Sequence, residues 1–177
     1  GITATPDRLE NQDVYSICDG NIAIRIHFID AIQRNWLSPF HYYGVYDDTD
    51  YSKIRWIGTG YDEEELSRVQ LREDMAEKIL LAWIDKKQTR TIGFCSTVRQ
   101  ANFLSYYFAQ AGYRSIALNG TTSRSERRNA RKQLESGQLD IIFTVDLFNE
   151  GVDIPTVDTL LFARPTESIA IFTQQIG

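Results

Sequence analysis

From Thr91 onward the apolar residues fall into short runs, separated by stretches in which they recur at helical spacing. Thr91 to Cys95, Tyr113 to Leu118, Leu139 to Val145 and Val157 to Ala163 read as strands. Val98 to Ala111 and Ser123 to Glu135 read as helices, ended by Gly112 and by the pair Ser136-Gly137. A further helix is expected from Ser168 on. The runs Ile141-Ile142-Phe143 and Thr159-Leu160-Leu161-Phe162 are apolar without alternation, as strands buried on both sides should be. Strands and helices alternating in this way predict an α/β fold, a doubly wound parallel sheet with helices on both faces.

Before Thr91 the pattern is less regular. Ile22 to Ile24 is a short extended run. Phe28, Ile29, Ile32, Trp36 and Leu37 fit one face of a helix over 27–37, which Pro39 ends. His41 to Tyr46, rich in aromatics and bounded by Asp47, Asp48 and Asp50, reads as a strand. Asp62, Glu63, Glu64 and Glu65 open a long helix reaching roughly to Lys87. Their charges, and Lys86-Lys87 at the far end, suit the helix dipole. That acidic run reads as a solvated helix start rather than a metal site. Both ends of the chain, Gly1 to Pro6 and Ser168 to Gly177, read as parts of larger elements, so a piece of a longer protein is expected.

Composition adds boundaries to this picture. With 177 residues and 42% hydrophobic content, the chain suits one substantial domain with an N-terminal extension. No apolar run approaches the roughly 18 residues of a membrane span, and no signal-peptide pattern opens the chain. Cys18 and Cys95 lack metal-ligand spacing and read as reduced thiols of an intracellular protein. The net charge of -5 means that any nucleic-acid contact must come from a local patch or from backbone amides.

In a parallel sheet, ligands meet the loops at the carboxyl ends of the strands. Ser96-Thr97 stands there after the first strand, able either to bind a phosphate oxygen or simply to cap the next helix. Asn119-Gly120-Thr121-Thr122-Ser123 follows the second strand as a tight turn leading to a helix cap. The helix behind it carries Arg124, Arg127, Arg128, Arg131 and Lys132. This basic face is either a phosphate-backbone track or a surface paired to acidic neighbours. After the third strand comes the polar loop Thr144 to Pro155. There Gly151 permits close approach to a ligand and Asp153 can accept hydrogen bonds from ribose hydroxyls. Arg164-Pro165-Thr166-Glu167-Ser168 follows the fourth strand, and Gln174-Gln175-Ile176-Gly177 lies on the last helix.

These residues resemble the superfamily 2 helicases and translocases. Thr3-Ala4-Thr5-Pro6 is similar to their motif III, and Gly93-Phe94-Cys95-Ser96-Thr97 to motif IV. Thr144 to Pro155 resembles motif V closely, and Gln174 to Gly177 resembles the opening of motif VI. With Arg164 to Ser168, the likeness is to the branch holding type III restriction-enzyme motor subunits and related DEAD/DEAH-like helicases. The stretch from Ala31 to Tyr43 is similar to the connector between their lobes. The resemblance implies two parts. Residues 1–60 would be the end of the first motor lobe and the inter-lobe connector; residues 61–177 would be the C-terminal RecA-like lobe.

The resemblance also implies roles. Ser96, Thr97 and Thr144 would hold a nucleic-acid backbone, DNA rather than RNA, and Arg127 and Arg128 would join them if the basic helix face is a phosphate track. Gly151, Asp153 and Gln174 would face ATP, held with Mg²⁺ between this lobe and an N-terminal RecA-like lobe. Thr3 and Thr5 would couple the nucleotide to that other lobe. The chain departs from the family in having no Gly-x-x-x-x-Gly-Lys-Ser/Thr phosphate loop, no Asp-Glu acidic box, and no arginines after Gly177. An arginine of that kind contributes about a thousand to a hundred thousand fold in rate. The chain alone is therefore expected to be inactive and to carry no bound ATP, as half of a motor site. Two other readings fit an α/β sheet of this kind: a non-catalytic RecA-like interaction module, and a small-ligand domain of flavodoxin type.

Overall fold

A computed structural model describes residues 19–58, 60–145 and 154–164. The chain forms two compact units, Gly1–Asp48 and Thr49–Gly177. Thr3, Thr5, Cys18, Gly151, Asp153, Gln174 and the helix expected from Ser168 lie outside the described residues.

In the first unit the expected helix is shorter than its apolar pattern suggests, running as α1 over Phe28–Gln33. His27 caps it by accepting from the Ile29 amide. Asn35, at φ 58°, turns the chain back so that the amides of Trp36 and Leu37 both reach the Ala31 carbonyl. The helix thus stops well before Pro39. Ala31 is buried, whereas Phe28, Ile29, Trp36 and Leu37 are exposed, so the expected buried face is not formed. The stretches 22–24 and 41–46 are not strands. An isolated extended segment has no neighbour to satisfy its amides and carbonyls.

The second unit opens with a 3₁₀ turn at Tyr51–Lys53 and a hairpin that the sequence pattern did not suggest. Its strands are β1 (Trp56–Ile57) and β2 (Gly60–Tyr61), antiparallel. Arg55 ties this hairpin to the following helix: its amide donates to Glu65 at 2.8 Å and its guanidinium pairs with Asp62 at 2.9 Å.

The long helix expected over 62–87 is two helices. α2 spans Glu63–Gln70, capped by Asp62, which accepts from the amides of Glu64 and Glu65. α3 spans Glu73–Lys86, with Arg72 extended between them. The burial pattern supplies the reason. α2 buries Leu66, Ser67 and Gln70, and α3 buries Met75, Ala76, Leu80 and Trp83. On one continuous helix these two sets would lie roughly two-fifths of a turn apart. Breaking the helix at Leu71-Arg72 lets both face inward.

The sheet is the expected parallel one. β3 (Thr91–Cys95), β4 (Ser115–Leu118), β5 (Ile141–Thr144) and β6 (Thr159–Ala163) lie in the order β4-β5-β3-β6. Gly93 stands opposite Phe143, and Cys95 opposite Ala163. α4 (Val98–Gln110) and α5 (Arg124–Glu135) complete the unit. One core packs α3 and α4 on Cys95, Ile141 and Phe143. The other packs Ala130 and Leu134 of α5 on Ile92, Phe94, Leu118 and Ile142. Strand residues alternate between the two cores, so the sheet is covered on both faces.

The amino-terminal edge of the sheet is tied shut. Asp158 accepts from the amides of Thr89 and Arg90 at 3.0 and 2.9 Å. Asp140 accepts from the Arg114 amide at 2.9 Å and pairs with its guanidinium. Arg90 donates to the Leu134 and Glu135 carbonyls at the end of α5. Each of these carboxylates is held below the ordinary aspartate range. For Asp140 the Arg114 hydrogen bond is the leading cause. For Asp158 burial pushes upward, and hydrogen bonds from Thr89 and Arg90 outweigh it.

Candidate nucleic-acid interface at the carboxyl edge

The opposite edge is built differently. β3 runs out at Cys95, and Ser96-Thr97 turns into α4. Thr97 caps that helix, its hydroxyl oxygen accepting from the Gln100 amide at 3.1 Å. Beside the turn lies a cleft of about 340 Å³, lined by Ser96, Thr97, Val98 and Arg99 on one side and by Glu63, Glu64 and Ser67 of α2 on another. Val145, the residue after β5, also lines it. The structure thus brings Ser96 and Thr97 into one cleft, with the end of β5 at its wall.

Thr144 stands differently. It pairs in the sheet opposite Phe94 and Leu118, is fully buried, and its hydroxyl has no hydrogen-bond partner among the described residues. A buried hydroxyl with no partner costs about 1–3 kcal/mol, which calls for a reason other than packing.

Two glutamines that are absent from the expected site, Gln70 and Gln100, organise this edge. Gln100 is buried, and its side-chain carbonyl accepts from the Ser96 amide at 2.8 Å while its NH₂ donates to the Ala163 carbonyl at 2.6 Å. Its carboxamide therefore stands between the ends of β3 and β6 as a peptide group would. Gln70, also buried, donates to the Ser96 hydroxyl oxygen at 3.2 Å. The signal for Gln100 was present in the sequence: Thr97-x-x-Gln100 has capping-box spacing. Here the glutamine reaches one residue further back, to Ser96 instead of Thr97.

The basic helix is partly committed. Arg127 donates to the Asn119 and Gly120 carbonyls at 3.3 and 2.8 Å, bracing the turn after β4. Arg131 pairs with Glu135 at 2.7 Å, one helical turn on. Arg128 is exposed to solvent. Ser123 and Glu126 form a reciprocal capping box at the helix start. A larger cleft, of about 490 Å³, lies between β4 and α5, lined by residues such as Ala117, Thr121, Asn129 and Gln133. It takes in the turn after β4 and Glu126 of α5, and none of Ser96, Thr97, Thr144, Arg127 or Arg128 lines it.

Cys95 is a free thiol with no exposed surface, and burial pushes its pKa well above the ordinary thiol value. A thiol held protonated in this way is packing, not a nucleophile. Among the described residues, no helix is long and apolar enough to cross a membrane.

The sequence model for the helicase conserved C-terminal domain matches residues 72–177. The chain belongs to this family. As a helicase C-terminal domain it aligns along its whole length with a Schizosaccharomyces pombe protein named "Putative mitochondrial ATP-dependent helicase irc3", at 30% identity over 29% of that protein. It aligns equally with a Saccharomyces cerevisiae protein named "Putative ATP-dependent helicase IRC3", at 24% identity over 26% of that protein. The chain thus spans less than a third of the length of either. The yeast DEAD-box splicing factor Prp28 matches the fold over 59% of this chain and 23% of its own, with a TM-score of 0.53 at 18% identity. A DEAD-box protein from Methanococcus jannaschii does so over 59% and 29%, at 0.52 and 18%. The doubly covered parallel sheet of this helicase domain is accordingly RecA-like.

Proposed function

We propose that this domain is the second motor lobe of a nucleic-acid-dependent ATPase, gripping the backbone of a DNA strand at the carboxyl edge of its sheet. The carrying observation is the cleft that holds Ser96, Thr97 and Arg99 beside the end of β5. Hydroxyls and one guanidinium at a strand-to-helix turn suit phosphodiester oxygens, and supply affinity without reading sequence. Glu63 and Glu64 on the facing wall oppose an anion, so the grip of the isolated domain is weak.

The ATP half-site belongs to the same edge. β5 leaves the sheet there through Val145, and the chain returns at Ile154, which is buried against the α5 side of the sheet. Gly151 and Asp153 fall between these two points, and with Gln174 they would face ATP and its Mg²⁺ across the cleft from a first lobe. Bound ATP would close the two lobes, and transfer of its terminal phosphoryl group to water would reopen them. This chain's residues would bind and orient the nucleotide, while phosphate loop, acidic box and arginines come from elsewhere. The names of the aligned helicases and the RecA-like fold support this reading.

The test uses the 177-residue chain alone and joined to its first lobe, with and without single-stranded DNA. The chain alone should turn over no ATP and bind an oligonucleotide weakly, with strong dependence on salt. The two-lobed protein should hydrolyse ATP, faster with DNA. Turnover by the purified chain alone, or no DNA stimulation of the two-lobed protein, overturns the proposal.

A further inference from the structure

We infer that the buried pair Gln70 and Gln100 are positioning residues that present the Ser96 hydroxyl, rather than its backbone amide, as the hydrogen-bond donor to a phosphodiester oxygen. The inference rests on the reading of the cleft as a nucleic-acid grip.

The free amides at a helix start are the usual donors to a phosphate. At Ser96 that route is closed. Its N–H already donates to Gln100 Oε1 at 2.8 Å. The orientation of Gln100 is fixed by its partners, because Ser96 N–H can only donate and the Ala163 carbonyl can only accept. The side chain is almost fully buried, at 1% exposure, so water does not compete for either bond. Gln100 thereby holds the backbone of residue 96 at a set distance from the end of β6.

The hydroxyl is set by Gln70, which comes from a different helix and is 2% exposed. Its NH₂ donates to Ser96 Oγ at 3.2 Å, occupying a lone pair of that oxygen. The hydroxyl hydrogen, given to no described residue, is then left for an acceptor in the cleft that Ser96 lines. Gln70 Oε1 has no partner among the described residues. Turning the amide over would leave both of its N–H groups unmatched, where one N–H and the carbonyl oxygen are unmatched now, and an orphaned buried N–H is the rarer case. With a donor supplied from the interior, the Ser96 hydroxyl keeps its hydrogen for an acceptor in the cleft, which suits an anion's oxygen.

The test measures binding of fluorescein-labelled single-stranded oligo-dT to the 177-residue chain at fixed low salt. The variants are Ser96→Ala, Gln70→Glu and Gln70→Met, alone and combined with Ser96→Ala. Thermal unfolding of each confirms that it folds. Loss of one neutral hydrogen bond predicts about fivefold weaker binding for Ser96→Ala. A carboxylate at position 70 would accept the hydroxyl hydrogen and turn it inward, so Gln70→Glu should weaken binding at least as much. Gln70→Met, with neither donor nor charge, should weaken it about twofold, and it decides the matter if the glutamate variant does not fold. Neither change should add anything once Ser96→Ala is present. Equal effects of the Gln70 variants with and without Ser96→Ala overturn the inference, since they would then act through charge or fold. Wild-type affinity in Ser96→Ala overturns it too while leaving the cleft's function standing. No binding by the unaltered chain overturns both.

Discussion

Phe143 lies across Gly93 so closely that a Cβ at position 93 would fall 2.7 Å from the ring's Cδ1. The two residues are opposite each other in the β3–β5 ladder, and Phe143 is fully buried between α4 and the sheet. No flexible end can move aside, since Phe108 packs edge-on against the same ring at 4.9 Å. Gly93→Ala should therefore destabilise the domain by about 1–3 kcal/mol, the range for overpacking a core. Urea unfolding measures it. In a Phe143→Leu background the same change should cost less. An equal cost in both backgrounds would mean that the loss comes from the strand backbone and not from the ring.

That relationship also shows what a sequence can reveal. Gly93 lies inside an apolar strand, and the strand was legible because β3, β5 and β6 carry apolar residues at successive positions. The contact was not legible, because register across non-consecutive strands leaves no mark in one sequence. The break between α2 and α3 was hidden for a related reason. Neither glycine nor proline stands at Leu71-Arg72, and only the change of buried face reveals it. The first unit misled in the other direction. Aromatic residues such as Trp36 and Tyr42 imitate a core while lying exposed. At the site, Ser96 and Thr97 were readable from their place after a strand. Gln100 carried only its capping-box spacing from Thr97, and Gln70 carried no signal, since a glutamine on a helix usually faces water and here both are buried.

The basic helix separates into a brace and a free face, and the two should respond differently to alanine. Arg127→Ala removes two hydrogen bonds to the turn carbonyls of Asn119 and Gly120. It should lower stability by about 1 kcal/mol. Arg128→Ala should change stability by less than about 0.5 kcal/mol. If Arg128 meets a phosphate, its loss should weaken oligonucleotide binding alike for all sequences and reduce the salt slope by about 1. Thermal melts and binding at several salt concentrations distinguish the two. An unchanged slope in Arg128→Ala would leave α5 as a solvated face.

Acid should loosen the tied edge of the sheet before it disturbs the cores. Asp158 and Asp140 have folded-state pKa values lowered below the ordinary 3.8, despite the upward push of burial. The folded state therefore binds fewer protons than the unfolded one at these sites. Their stabilisation is fully present above the ordinary carboxylate pKa and is lost as pH falls through the depressed one. Asp158 is largely exposed, so solvent screening keeps its share small. Urea midpoints should be flat near neutrality and fall below about pH 4. Asp158→Asn should have a lower midpoint at pH 7 and a shallower acid fall. A variant with the parent's acid slope would show that Asp158 contributes nothing to it.

Among the described residues, the buried hydroxyl of Thr144 is given no partner. A core threonine kept only for packing should be replaceable by valine, which has nearly the same shape and no polar atom to leave unmet. Since Thr144 is fully buried and its hydroxyl has no partner among the described residues, Thr144→Val should keep or raise the melting temperature, whatever the residue's function. Oligonucleotide binding then separates the possibilities. If the hydroxyl is held in reserve for a strand phosphate when the edge engages DNA, the more stable variant should bind about fivefold more weakly, the worth of one neutral hydrogen bond. Asp153 serves as the control in the two-lobed protein. Asp153→Ala should cut DNA-stimulated ATP turnover and leave nucleotide-free DNA affinity nearly intact, because its proposed ligand is the nucleotide. Thr144→Val should show the reverse order, with DNA affinity falling first. A Thr144→Val chain that is more stable and binds DNA like the parent would remove Thr144 from the grip. Loss of stability in Thr144→Val would show that the hydroxyl has a partner in the folded state after all.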